Sequence, residues 1–200
     1  MTRIIAGTAK GRELKVPPKG TRPTSSRVRE AIFSRLDHWN LLNEAEVLDL
    51  CAGSGSLGLE AASRGAARVE AVELAAPAAR LIKQNAQALG LSQVNVVVAN
   101  VQKFLTMNPH PQQLVFFDPP YDLSNDFVTE VLELVATGWL APEGVIVLER
   151  SIRSEVPLWP ESLSLLAEKK YGETQIYYLE LAQNENLDEA SEADALVENS

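Results

Sequence analysis

The sequence has few of the residues that support disulfide, metal or thiol chemistry. Its 200 residues include one cysteine, Cys51, so the chain cannot form an internal disulfide. The two histidines, His38 and His110, are far apart in the sequence and have no Cys or His neighbours at metal-ligand spacing, which argues against a zinc site or a Cys/His nucleophile. No apolar run has the length of a membrane span, and the N-terminus lacks the apolar stretch of a secretory signal. We therefore expect a cytoplasmic protein that uses no metal.

Basic residues are scarce overall but are concentrated at one end of the chain. The net charge is −9, yet residues 1–40 hold nine Lys or Arg residues against three acids. Residues 180–200 hold seven acids and no base. This asymmetry is expected of a basic arm that meets phosphate, although a solvated basic surface would give the same pattern.

The turn-forming residues and the spacing of the apolar residues divide the chain into three parts. Residues 1–40 are predicted to form a basic extension, with a hairpin over 4–16, a loop after Pro17-Pro18, and a helix capped near Thr24 to Ser26. The arginines of this helix lie off its apolar stripe and are expected to face outward. Residues 41–182 are predicted to form the catalytic domain, and residues 183–200 an acidic disordered tail.

The catalytic domain alternates between strand and helix patterns. Strands are predicted at 47–50, 68–73, 94–99, 114–118 and 145–149, with helices at 57–63, 76–89, 101–106 and 127–136. Residues 163–171 and 173–181 have the pattern of a closing antiparallel pair. Such alternation predicts an α/β fold with a parallel sheet and helices on both faces.

A glycine-rich turn follows the first predicted strand. Residues 53–58 form a Gly-x-Gly-x-x-Gly pattern, whose glycines let the backbone approach a ligand closely. Glu73 lies 20 residues after Gly53, at the end of the next strand, where a carboxylate can accept hydrogen bonds from ribose hydroxyls. Dinucleotide-binding enzymes and methyltransferases share these features, so the turn alone does not separate the two classes.

Asp118-Pro119-Pro120-Tyr121 follows the buried run from Leu114 to Phe117. A carboxylate and a prolyl carbonyl side by side are two acceptors for the two hydrogens of a planar amino group. The prolines fix φ and lack an N–H, and Tyr121 offers a face on which an extruded base can stack. We interpret this segment as the reacting centre of a methyltransferase that acts on a nucleobase amine by direct in-line transfer.

The acid Asp49 and the small residues after it resemble motif I of S-adenosylmethionine-dependent methyltransferases. The resemblance implies that Asp49 holds the amino-acid part of the cofactor, and that Asn100 and Val101 contact its adenine. The candidate cofactor-binding residues are Asp49, Ala52, Gly53, Ser54, Gly55, Glu73, Leu74, Asn100 and Val101.

The whole chain resembles the RsmD family, bacterial methyltransferases of the guanine N2 amine in 16S ribosomal RNA. The matching segments are Arg3 to Gly7, Gly11 to Leu14, Arg22 to Thr24, Val28 to Glu30, Asp49 to Glu60, Glu73, Asp118 to Tyr121 and Gly138 to Leu140. The resemblance implies a seven-stranded Rossmann-like fold, S-adenosylmethionine as donor, and a guanine of the small ribosomal subunit as substrate. We expect the protein to act as a monomer.

Five residues of the basic extension are candidates for RNA or active-site contacts: Arg12, Arg22, Thr24, Arg27 and Arg29. Three other functions stay open from the residues alone. An adenine-N6 methyltransferase would use the same Asp-Pro-Pro-Tyr geometry, a nicotinamide-dependent oxidoreductase would use the glycine turn and Glu73, and a non-catalytic RNA-binding factor would keep only the fold.

Overall fold

The structure is a computed structural model that describes residues 2–16 and 25–183. The predicted site residues Arg22 and Thr24, and the predicted acidic tail after residue 183, lie outside the described residues.

The described residues form nine strands and five helices. The strands are β1 (Thr2–Arg3), β2 (Glu13–Leu14), β3 (Glu46–Leu50), β4 (Arg68–Glu73), β5 (Val94–Val98), β6 (Gln112–Phe117), β7 (Leu140–Ser151), β8 (Leu163–Tyr171) and β9 (Thr174–Leu181). The helices are α1 (Ser26–His38), α2 (Ser56–Ser63), α3 (Ala76–Leu89), α4 (Val101–Leu105) and α5 (Asn125–Ala136). None of these helices is long and apolar enough to cross a membrane.

Seven of the strands form one sheet in the order β5-β4-β3-β6-β7-β9-β8. Strands β3 to β7 are parallel, and β9 runs antiparallel to both β7 and β8. Helices α1, α2 and α3 pack on one face of the sheet, and α4 and α5 pack on the other. Because both faces are covered, β3 is buried over Val47 to Leu50 and exposes neither face to solvent. The predicted α/β fold with a seven-stranded, mostly parallel sheet is confirmed.

One predicted strand was too short. Residues 145–149 were expected as the last parallel strand, but β7 begins at Leu140. Pro142 and Gly144 gave this stretch the character of a turn in the sequence. The sheet accommodates them with a register shift between Gln112 and Leu114 on β6, and an irregularity of this kind is where a proline is tolerated in a strand.

The N-terminal hairpin is docked on α2 by a buried carboxylate. Glu60 is fully buried and accepts hydrogen bonds from the backbone N–H groups of Ile5 (2.7 Å) and Ala6 (3.0 Å). At Gly7, whose φ is +82°, a Cβ atom would lie 1.8 Å from the Ser63 carbonyl oxygen, so only glycine permits this approach. The hairpin is thus held against the same helix that begins at the glycine-rich turn.

Arg29 belongs to this anchor, and the prediction that it contacts RNA phosphate is therefore wrong. Its side chain is 1% exposed, donates to the Arg3 carbonyl oxygen (2.6 Å) and lies 4.0 Å from the Glu60 carboxylate. Arg64 adds a second ion pair to Glu60 at 2.8 Å. The outward orientation expected of the α1 arginines also fails for Arg35, whose guanidinium packs over the Trp39 and Tyr178 rings.

We predict that Glu60→Gln lowers the free energy of unfolding by about 3 kcal/mol, because it leaves two guanidinium groups without their buried counter-charge. Urea denaturation measures this. The matched control is Glu133→Gln on the exposed surface of α5, which should change stability by less than about 0.5 kcal/mol. Equal stability of the two variants would contradict the anchoring role of Glu60.

Candidate active site

One cleft of about 790 Å³ opens where the parallel strands end. The residues that line it are Asp49, Cys51, Ala52, Gly53, Ser54, Ser56, Leu57, Glu73, Leu74, Ala75, Asn100, Val101, Asp118, Pro119, Pro120, Tyr121, Asp122, Leu123 and Phe127. All four predicted catalytic residues and eight of the nine predicted cofactor-binding residues are among them. Two segments that are more than 60 residues apart in the sequence therefore share one cavity.

Gly55 is the predicted cofactor-binding residue that does not line the cleft. It adopts a φ of +73°, and a Cβ atom at this position would lie 2.8 Å from the Ile82 side chain. The residue therefore lets α2 start close to α3, and its role in the turn is one of packing. The loop is fixed further by the Gly53 N–H, which donates to the Glu73 carboxylate at 2.7 Å.

Asp49 is a buried acid at the end of β3. It is 1% exposed, and its Oδ2 atom accepts the Gly58 N–H at 2.9 Å, which ties the strand to the first turn of α2. Burial raises the pKa of this carboxyl to about 7, against the lowering effect of the Gly58 hydrogen bond and with a further rise from Glu73. Among the described residues no basic side chain pairs with this carboxylate, so its environment favours a cationic group placed beside it.

Glu73 ends β4, Asn100 follows β5 as the N-cap of α4, and both side chains already have protein partners. The Glu73 carboxylate accepts from the N–H groups of Gly53 and Ala75, both at 2.7 Å, and each oxygen retains a further lone pair that can accept a hydroxyl. The Asn100 Oδ1 atom caps α4 by accepting the Lys103 N–H at 3.1 Å. An adenine amine would therefore have to share this oxygen with the cap.

The Asp-Pro-Pro-Tyr segment crosses the other side of the cleft. Asp118 is half-buried directly after β6, and the turn that follows is closed by the Leu123 N–H, which donates to the Pro120 carbonyl oxygen at 3.1 Å. Tyr121 is 43% exposed, and its hydroxyl donates to the Glu149 carboxylate at 3.2 Å. Burial, together with the Glu149 charge, raises the pKa of the Tyr121 phenol.

Cys51 lines the cleft but has the wrong ionisation for a nucleophile. Burial, together with the nearby acids Glu73 and Asp118, raises the pKa of its thiol to about 12. The thiol is therefore protonated at neutral pH, which agrees with chemistry that needs no covalent enzyme intermediate. Within residues 2–16 and 25–183, no cluster of three or more His, Cys, Asp or Glu side chains could hold a metal ion.

The remaining candidate RNA contacts lie at opposite ends of the sheet. Arg12 donates to the Ala88 carbonyl oxygen near the end of α3, far from the strand ends that form the cleft. Arg27 is exposed in the first turn of α1. Since Asp37 at the other end of α1 pairs with Arg64 after α2, the N-terminus of α1 points towards the cleft edge. By this topology Arg27, and not Arg12, lies towards the end of the sheet where the parallel strands end.

Several cleft residues were absent from the sequence predictions. Ser56 and Leu57 lie within the glycine-rich turn, Asp122 and Leu123 follow Tyr121, and Phe127 belongs to the first turn of α5. Glu149 supports the cleft without lining it. The sequence shows Glu149 as the acid that ends a predicted strand. That this strand lies next to the one that ends before Asp118 can be known only from the order of strands in the sheet.

The strand order, with antiparallel β9 between β7 and β8, and the glycine loop facing Asp-Pro-Pro-Tyr across one cleft define a Rossmann-like methyltransferase. The chain belongs to the family described as Conserved hypothetical protein 95, the RsmD family, which matches residues 2–180.

Relatives and solved structures agree with this assignment. Ribosomal RNA small subunit methyltransferase D of Escherichia coli K12 is 38% identical over 86% of this chain and 85% of its own length. The protein of the same name from Haemophilus influenzae is 38% identical over 85% of this chain and 89% of its own length. The solved structure of Escherichia coli yhhF, provisionally assigned as a methyltransferase, superimposes with a TM-score of 0.81 at 36% identity and covers 90% of this chain and 98% of that one.

We predict a pH-dependent stability difference between the wild type and Asp49→Asn. Because the folded state raises the pKa of Asp49 from 3.8 to about 7, it binds the proton more tightly than the unfolded chain does. This contribution to stability is present in full below pH 3.8 and is lost as the pH rises to about 7. Relative to Asp49→Asn, the wild type should lose on the order of a few kcal/mol over that range.

Urea denaturation at several pH values measures the difference. Asp122→Asn, an exposed acid of the same cleft, is the matched control and should change stability by less than about 0.5 kcal/mol at neutral pH. A difference between wild type and Asp49→Asn that does not vary with pH would show that Asp49 carries no raised pKa.

Proposed function

We propose that this protein transfers a methyl group from S-adenosylmethionine to the exocyclic N2 amine of a guanine in 16S ribosomal RNA of the small ribosomal subunit. The observation that carries the proposal is that the glycine loop and the Asp-Pro-Pro-Tyr segment line one cleft. A donor and an acceptor bound to these two walls would lie next to each other. The two relatives named above are methyltransferases of small-subunit ribosomal RNA, which supports that RNA as the substrate.

The residues of the cleft suit S-adenosylmethionine. Asp49, which forms no ion pair within the part of the chain that the structure describes, offers a buried carboxylate to the cationic ammonium of the amino-acid part. Glu73 has lone pairs for the ribose hydroxyls, and Leu74 and Val101 supply apolar surface for the adenine. When bound, the cofactor supplies an electrophilic methyl group on a sulfonium.

The acceptor wall would activate a weak nucleophile. The lone pair of an exocyclic amine is delocalised into the base ring, so the nitrogen attacks poorly while it stays planar. The Asp118 carboxylate would accept a hydrogen bond from one N–H of the amine and the Pro119 carbonyl from the other, which favours a tetrahedral nitrogen with its lone pair available. Once the nitrogen has gained the methyl group it carries a positive charge, and it would lose one proton through the Asp118 carboxylate to solvent. Tyr121 exposes 43% of its surface and would stack on a base extruded from the RNA, with stacking of about 1–3 kcal/mol offsetting part of the unstacking cost.

Most of the rate enhancement of methyl transfer would come from the alignment of the amine with the methyl donor. The prolines restrict the Asp118 loop, and the hydrogen bond from Leu123 to Pro120 closes its turn, so the two acceptors are in place before the substrate binds. Cys51, with its pKa raised to about 12, takes no part in a covalent step.

Methylation of small ribosomal subunits tests the proposal. Subunits from cells that lack the corresponding modification are incubated with the protein and labelled S-adenosylmethionine, and the digested RNA is analysed by mass spectrometry. We expect N2-methylguanosine as the product. N6-methyladenosine as the sole product would replace the proposal with the adenine alternative, and transfer to neither base would reject it.

Asp118→Asn should lower kcat by about 100-fold or more while S-adenosylmethionine still binds, because the acceptor that acts on the developing charge is neutralised. Asp122→Asn is the matched control, since it removes a carboxylate from the same cleft and should retain activity within about threefold. Equal loss in both variants would indicate a general effect of charge in the cleft. Calorimetry of cofactor binding distinguishes lost chemistry from a lost site.

Arg27→Ala should weaken binding to the subunit and reduce the slope of log K against log salt by about one, as expected when one phosphate contact is lost. Arg68→Ala is the matched control. Arg68 is an exposed arginine at the start of β4, and the parallel strands begin at the end of the sheet opposite the cleft. Affinity measured at several salt concentrations compares the two variants. An identical salt slope in both would exclude Arg27 from the RNA-binding surface.

A further inference from the structure

Tyr121 is held at its polar end and open at its face. Its hydroxyl donates to Glu149 Oε1 at 3.2 Å and also interacts with the Thr174 side chain. Glu149 is 4% exposed, whereas Tyr121 is 43% exposed in the cleft. The ring is therefore attached to the interior through its oxygen while its surface stays available to a ligand.

The sheet register explains why Glu149 can reach this hydroxyl. Phe117 of β6 pairs with Leu148 of β7, so Asp118 and Glu149 follow at the same level on neighbouring parallel strands. Strand alternation puts Glu149 on the face of the sheet that carries Val145 and Val147, the face covered by α1 and α2. A carboxylate is costly to bury unless it is hydrogen-bonded, and the phenol supplies such a bond.

The next residue of β7 fixes the main chain of the same loop from the other face. Arg150 is 3% exposed and donates through Nη2 to the Leu123 carbonyl oxygen at 3.2 Å and to Asn125 Oδ1 at 3.4 Å. The Leu123 N–H is bonded to Pro120 as well. The loop backbone is therefore tied at Leu123, two residues after Tyr121.

We propose that Glu149 is a positioning residue that fixes the orientation of the Tyr121 ring, so that a base stacked on it presents its amine to Asp118. The inference rests on the proposed function, because it requires a base in the cleft. It explains the use of tyrosine at a position where phenylalanine would stack equally well: the hydroxyl provides a second attachment point. Glu149 does not line the cleft, so its effect on the substrate passes through Tyr121.

A double-mutant cycle on methyl transfer to ribosomal subunits tests this coupling. Tyr121→Phe keeps the stacking face and should lower kcat/KM for the subunit about tenfold, the effect of one lost charge-assisted hydrogen bond. Glu149→Gln keeps an acceptor oxygen and should lower it about threefold. The double variant should be no worse than Tyr121→Phe within about twofold, and KM for the methyl donor should not change in any of the three.

Tyr178→Phe is the matched control. Its hydroxyl is buried without a hydrogen-bonding partner in the described part of the chain, so its removal should leave kcat/KM within about twofold of the wild type. Wild-type kinetics for Tyr121→Phe, or fold-changes that multiply in the double variant, would overturn the proposal.

An NMR measurement examines the contact without any activity. The chain has four tyrosines, so ¹³Cζ-labelled tyrosine gives few signals, and the one missing in Tyr121→Phe identifies the residue. Since burial and then the Glu149 charge raise the pKa of Tyr121, Glu149→Gln should lower that pKa and move the signal. An unchanged signal and pKa would reject the contact. If the wild type failed to methylate guanine, the proposed function would fail while this result still reported on the pairing of Tyr121 with Glu149.

Discussion

The position of β3 between β4 and β6 is the constraint on which the rest of the structure depends. Parallel pairing makes the carboxyl ends of these strands meet at one edge, so the glycine loop after β3, Glu73 after β4 and Asp118 after β6 converge. From β3 the chain builds the sheet first towards β4 and β5 and then, on the other side, towards β6 and β7. The loops after β3 and β6 therefore diverge and leave a crevice between them. Residues that no local interaction could bring together therefore share a cavity of about 790 Å³. Both walls of the proposed reaction follow from this one arrangement.

Three buried carboxylates show how the same residue type is used for different purposes. Glu60 is compensated by Arg64 and Arg29 and secures the N-terminal hairpin. Asp49 has a backbone donor but no counter-charge within residues 2–16 and 25–183, and its raised pKa of about 7 marks it as a site for a cation. Glu149 receives the Tyr121 phenol and supports the opposite wall. The ion-paired Glu60 thus secures the fold, whereas Asp49, which has no ion pair among the described residues, lies in the cleft.

The sequence predicted the parts of the molecule whose signals are local. Local patterns were enough to predict the buried strands at Val47 to Leu50 and Leu114 to Phe117. The same holds for the glycine turn and the Asp-Pro-Pro-Tyr segment, and almost every site residue predicted from these two motifs lines the cleft. Arg29 was assigned to the surface because an arginine in a basic stretch gives no sign of its partner, which is Glu60, 31 residues away. Glu149 was missed for the same reason. Its contact with Tyr121 depends on the pairing of β6 with β7, which cannot be inferred from local sequence patterns.

The central claim is that a methyl donor bound at the glycine loop faces the Asp118 carboxylate across the cleft. A crystal structure with S-adenosylhomocysteine measures this most directly, because the sulfur marks the position from which the methyl group leaves. We predict that the amino-acid end lies beside Asp49, the ribose hydroxyls bind Glu73, and the sulfur points to the space between Asp118 and Tyr121. A ligand whose sulfur points away from Asp118, or which binds outside this cleft, would contradict the account.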